Sequence, residues 1–158
     1  MTSTIEDLVY AVRDFIRTNY DTYLQAINDA KADGVTAESI KSANIEVRDA
    51  DPYDAGEYPY LMLYPSEVNV EALSAGHDEM QLTTRGLIGI NQGNESTLPI
   101  KMMRYVEALR AVLRDYHDLG ETEFEVDAET SMRIYPVTAG QNIKLGAVDF
   151  TVFTDVAK

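Results

Sequence analysis

Four acidic residues lie close together at Asp49, Asp51, Asp54 and Glu57, and several carboxylate oxygens on one short segment are what a hard divalent cation requires. The run departs from the calcium-loop pattern, because Tyr53 stands where a third ligand belongs and Asp54 where the sharp turn needs glycine. A solvated, Pro- and Gly-punctuated loop accounts for these acids better than a metal site does. His77 and His117 are the only histidines, and neither accompanies a nucleophile motif such as Gly-x-Ser-x-Gly. His117, near a helix end, suits an interaction with the helix dipole. Gly86, Gly89 and Gly93 lack the Lys-Ser/Thr of a phosphate loop and fall in a strand pattern, which points to close packing. Arg104, Arg110 and Arg114 resemble a phosphate-contacting stripe, yet Glu107, Asp115 and Asp118 interleave at ion-pair spacing, so a solvated helix face is expected. The residues therefore predict no catalytic group, no metal, no cofactor and no enzymatic activity.

Composition narrows the partners. With 27 acidic residues against 13 basic ones, the formal charge is −14, a field that repels phosphate backbones and suits solubility or a surface past which DNA slides. Cysteine is absent, which removes disulfides, thiolate metal ligands and thiol catalysis. The opening residues Met1 to Leu8 carry acids and no basic run, so no secretion is expected. The longest nearly uncharged apolar stretch, residues 58 to 65, is far shorter than the roughly 20 residues that span a bilayer, so no membrane partner is expected. Asn94-Glu-Ser96 matches a glycosylation sequon, read as coincidence without an export signal.

The elements that would position these groups read as one α+β domain over residues 1–158. Its sheet is mostly antiparallel, with about five strands and two main helices packed on one face. Ser3 and Glu6 form a capping box ahead of a stripe at Ile5, Leu8, Val9, Val12, Ile16, Tyr20, Tyr23, Leu24 and Ile27, with Asn28 on the polar side and Gly34 as the stop. Residues 43 to 48 alternate as a strand with Ile45 and Val47 inward. Tyr60 to Tyr64 is apolar on both sides and predicts an interior strand. Pro65 to Gly76 reads as a long loop leading to a strand from Glu79, with Met80, Leu82, Thr84, Ile88 and Ile90 on one face and Gln81, Thr83 and Arg85 on the other.

A second helical stripe runs from Met102 through Tyr105, Val106, Leu109, Val112 and Leu113 to Tyr116, with Ser96 or Thr97 as cap, Pro99 in the first turn and Gly120 as the stop. Thr122, Phe124 and Val126 are expected to face inward from the next strand, and Met132 and Ile134 continue the signal. Residues 138 to 142 read as a hairpin turn. In the last strand Ile143 and Leu145 hold odd positions while Val148, Phe150 and Val152 hold even ones, a switch that predicts a β-bulge at Gly146.

With its N-terminal helix, the Pro-x-Leu-x-Leu-Tyr-Pro-like strand from Pro59 to Pro65, a long strand, the helix Arg104-Tyr-Val-Glu-Ala-Leu-Arg-Ala-Val-Leu113 and a closing strand pair, the chain resembles the tail terminator or tail-completion proteins of long-tailed bacteriophages and related contractile particles. That resemblance implies a structural virion protein, assembled in the host cytoplasm, whose homo-hexameric ring caps the finished tail tube and joins it to the neck. Its implied partners are further copies of itself, the tail tube protein and a neck or head-completion protein, with DNA passing through the ring without specific binding. Loops at 50 to 58, 66 to 78 and 137 to 142 are the expected contact regions. The candidate interface residues are Asp51, Tyr53, Tyr58, Asn69, His77, Arg85, Arg133 and Gln141, where tyrosine offers contact area at low entropic cost. A neck component binding the portal side is the alternative within structural proteins; a small metal-dependent enzyme and a ligand-binding module are the alternatives outside it.

Overall fold

The computed structural model describes residues 5–53, 56–91, 96–118, 124–127, 131–137 and 142–157. Two amphipathic helices, α1 (Ile5–Lys31) and α2 (Leu98–Asp118), pack on one face of a mixed sheet. The strands are β1 (Ile45–Val47), β2 (Tyr60–Ser74), β3 (His77–Asn91), β4 (Phe124–Val126), β5 (Ser131–Ile134) and β6 (Ile143–Ala157). Their order is β1-β2-β3-β6-β4, and β5 lies end to end with β4 on the same edge of β6. Only β1 and β2 run parallel; every other pair is antiparallel. The α+β class and the helices on one face are as the sequence predicts.

Both helical stripes are buried as expected, with Leu8, Ile16, Leu24, Met102, Leu109 and Val112 fully enclosed against Leu61, Leu63, Leu82 and Ile88 of the sheet. α2 meets α1 and the segment that follows it through polar tips as well as apolar bodies. Tyr20 Oη donates to the Tyr105 carbonyl at 2.8 Å, Tyr105 Oη donates to the Glu38 carbonyl at 2.6 Å, and Phe15 meets Tyr116 edge to face at 4.5 Å.

Several expectations are corrected. Residues 66 to 74 are not a loop but the outer half of β2, which turns tightly into β3 at His77. Polar residues hid this strand because it lies at an edge, exposed on both faces, where alternation carries no burial signal. His77 is accordingly a strand residue. The strand predicted over 43 to 48 shrinks to β1, because Ala43 and Asn44 belong to a 3-10 turn.

No bulge occurs at Gly146: β6 pairs with β3 in one unbroken register from Ile143 to Ala157. Its odd and even apolar residues lie on opposite faces, and both are buried at this end of the sheet. Val148, Phe150 and Val152 face the helices, whereas Ile143, Leu145 and Ala147 join Tyr60, Met62 and Leu87 in a second cluster on the far face. Gly146 is required by close approach instead, since a Cβ there would lie 2.5 Å from Met102 Sδ. The register does slip between Pro65 and Glu67 of β2, at a proline with no amide to donate.

Arg104 and Asn28 are the largest departures from the helical stripes. Both were placed on solvated faces, and both are buried. Asn28 replaces a missing strand partner for Ala37, donating from Nδ2 to its carbonyl at 2.9 Å and accepting its amide at 3.0 Å. Arg104 donates to the Asp33 carboxylate, to the Val35 carbonyl and, at 3.3 Å, to Asn28 Oδ1. This fork ties α2 to the segment that follows α1. Ser3, Gly120, the 138 to 141 turn with Gln141, Asp54, Gly93 and Glu121 to Glu123 lie outside the described residues.

Candidate functional site

The face of the sheet opposite the helices carries the densest group of predicted interface residues. The described residues between β1 and β2, 48–53 and 56–59, lie across this face and are held by hydrogen bonds. Asp51 accepts the Tyr53 amide at 2.9 Å in a local turn, while Tyr58 Oη and Tyr60 Oη both donate to the Pro52 carbonyl, at 3.3 and 2.8 Å. The Tyr58 and Tyr60 rings lie 5.2 Å apart in a tilted pair. Asn44 Nδ2 donates to Glu57 Oε2 at 3.2 Å, fixing the far end of the segment.

Beside it opens a hollow of about 420 Å³, lined by Pro52, Tyr53, Tyr64, Arg85, Tyr135 and Pro136 among others. Arg85 on β3 is directly opposite Asp149 on β6, and the pair is bidentate, Nε to Oδ1 at 2.7 Å and Nη2 to Oδ2 at 3.1 Å. The Asp149 hydrogen bonds hold the guanidinium well above its ordinary pKa against the opposing effect of partial burial. Because both carboxylate oxygens are engaged, Arg85 is a neutralised polar floor rather than a cation for phosphate. Tyr60 is pushed above the ordinary tyrosine range by burial first and by neighbouring Tyr58, Asp51 and Tyr53 next. It is a protonated donor, not a base. The arrangement suits contact with a partner's apolar or proline side chain between aromatic walls.

The eight candidate residues fall in distinct places. Asp51, Tyr53, Tyr58 and Arg85 are brought together around the hollow and its covering segment. Asn69 and His77 belong to the exposed outer half of the β2–β3 hairpin, with Asn69 Nδ2 donating to Glu67 Oε1 at 3.1 Å. Arg133 is exposed on the edge strand β5. Sequence reasoning missed Tyr135, Pro136 and Asp149. A charged residue inside the apolar run of β6, on the Arg85 face, was the readable signal for Asp149.

Of the acids first considered for a metal, Asp51 caps a turn and Glu57 meets Asn44 and, at 3.9 Å, Lys41. Among the described residues no three acids or histidines converge in metal-holding geometry. No described helix is long and apolar enough to cross a membrane. No protein-family model and no curated protein matches the sequence.

Proposed function

We propose that this protein is a structural component of a long-tailed phage particle, a ring, sixfold by resemblance, that caps the finished tail tube and joins it to the neck. The observation that carries this reading is the pair of open strand edges on opposite sides of one sheet. The β2 edge beyond β1 and the outer edge of β4 and β5 have no strand neighbour among the described residues. Two different edges on opposite sides are what head-to-tail association into a closed ring needs. The charge of −14 supports a channel through which DNA passes without sticking, and the tyrosine-lined hollow supplies a surface for the tube or neck protein. The place of action is then the tail and neck of the virion.

Light scattering on the purified protein, followed by electron microscopy with tail tubes, tests this. A species near six times 17.6 kDa that decorates tube ends is the expected result. A monomer that leaves tube ends bare removes the reading, and binding to portal but not tube protein moves the chain to the neck.

A further inference from the structure

We infer that the outer half of β2 in one copy adds as a strand to the outer edge of β5 in the next copy, so that one sheet continues from subunit to subunit. The inference rests on the ring-forming reading and names its interface. Two independent face matches carry it.

On the helix side, Val68 and Val70 are 39% and 64% exposed although they stand opposite Leu82 and Met80, which belong to the main core. On the same side of β5, Met132 and Ile134 are 46% and 40% exposed, standing opposite Val148 and Gly146. They share an open hollow of about 370 Å³ with Met103 of α2, itself 49% exposed. Isolated exposed apolar residues need no explanation, but two rows of them on two open edges, on the same face, are a matched pair.

On the far side, Glu67 and Glu71 project from β2 and Arg133 from β5, all exposed, which gives opposite charges. Both matches hold at once only if the added strand keeps the helices of successive copies on the same side of the sheet. That is the head-to-tail case.

Strand direction and height agree. Reading across the sheet, β2 and β5 run in opposite directions, so repetition about an axis along the strands brings them together antiparallel. Through β6, β5 stands level with Arg85 to Ile88 of β3, whereas Val68 and Val70 stand level with Leu82 and Met80. The stagger that sets Val68 and Val70 opposite Ile134 and Met132 is about six residues, or roughly 20 Å at ~3.3 Å per residue. Spread over four strands ~4.8 Å apart, it corresponds to a tilt of about 45°, at the upper end of the range that closed sheets adopt. β1 covers only Leu61 to Leu63 and leaves this part of the β2 edge open.

Two variants test the pairing. The first, V68D/V70D, breaks the β2 edge and keeps β5. The second, M132D/I134D, breaks β5 and keeps the β2 edge. Each alone is expected to be a folded monomer, by light scattering and circular dichroism, at concentrations at least tenfold above those at which wild type assembles. Mixed in equal amounts they are expected to form a dimer and nothing larger, because one intact interface remains. A second pair, R133E and E67R/E71R, is expected to weaken assembly separately and restore it when combined in one chain. Wild type that stays monomeric would overturn the ring reading itself. An oligomer unchanged by the substitutions, or a mixture that does not dimerise, would overturn this pairing and leave the ring reading standing.

Discussion

The ring of Tyr60 lies across Gly89, its cross-strand partner, in the space a side chain there would occupy: a Cβ at residue 89 would fall 2.3 Å from the ring. The same tyrosine donates to the Pro52 carbonyl, so the glycine indirectly seats the segment that walls the hollow. Gly89→Ala is expected to destabilise the protein by about 1–3 kcal/mol, because a rigid aromatic must move. Gly76→Ala, with nothing near its added Cβ, is the control and is expected to change little. Urea unfolding of both variants measures the difference.

Tyr60→Phe keeps the ring and deletes the 2.8 Å hydrogen bond. A loss of about 1 kcal/mol is expected, with faster proteolysis of the chain between β1 and β2. Unchanged stability and cleavage would mean that the hydroxyl does not hold that segment.

Acid titration reads the Arg104 fork. Its hydrogen bonds lower the Asp33 pKa below the ordinary 3.8, followed in effect by the Val35 amide. A carboxylate with a depressed folded pKa adds stability that is present above its unfolded value and lost as pH falls through the folded one. Asp33→Asn is therefore expected to be less stable than wild type near neutrality, with the gap closing below about pH 4. Arg104→Met, an apolar replacement of similar reach, is expected to cost less than Arg104→Ala, which leaves a cavity worth about 2–4 kcal/mol. Thermal melts across pH check both.

Alkali reads the helix interface. Burial raises the Tyr20 and Tyr105 pKa values above the ordinary 10.0, with nearby charge adding to the effect. A raised folded pKa gives stability that is full below the unfolded value and lost as pH rises through the folded one. Stability is expected to fall above about pH 10, less steeply in Tyr105→Phe. Ultraviolet titration of the phenols should show these two ionising only with unfolding.

Tyr53→Ala and Tyr135→Ala report on the hollow. Under the proposed tail-capping role, each is expected to weaken capture of tail tube or neck protein by about tenfold while leaving the oligomer mass unchanged. Equal capture by both variants would remove the hollow from the interface.

Legibility followed burial. The stripes of α1 and α2 and the core face of β3 were readable because each has one wet side and one dry side, so periodicity reports packing directly. β6 was misread where both faces are dry, since Ile143 and Leu145 serve a second cluster that no one-sided pattern signals. The outer half of β2 failed for the converse reason, having both faces wet. Arg104 carried a usable sign: Ala108 and Val112, one and two turns further along its own row of α2, are fully buried. Among the candidate site residues, tyrosines beside proline in the β1–β2 segment were legible by type, but their convergence with Tyr135 depends on strand pairing between distant parts of the chain.

The unbroken pairing of β3 with β6 has a consequence for how the chain acquires its structure. These central strands are separated by about fifty residues of sequence, so the loop between them must close before the sheet's longest antiparallel ladder forms. Until β6 has been synthesised, the second edge of β3 has no partner for its backbone amides and carbonyls. Folding is thus governed by a late, non-local event, and the interval before it is when a nascent copy is most exposed to aggregation or to pairing with the wrong neighbour.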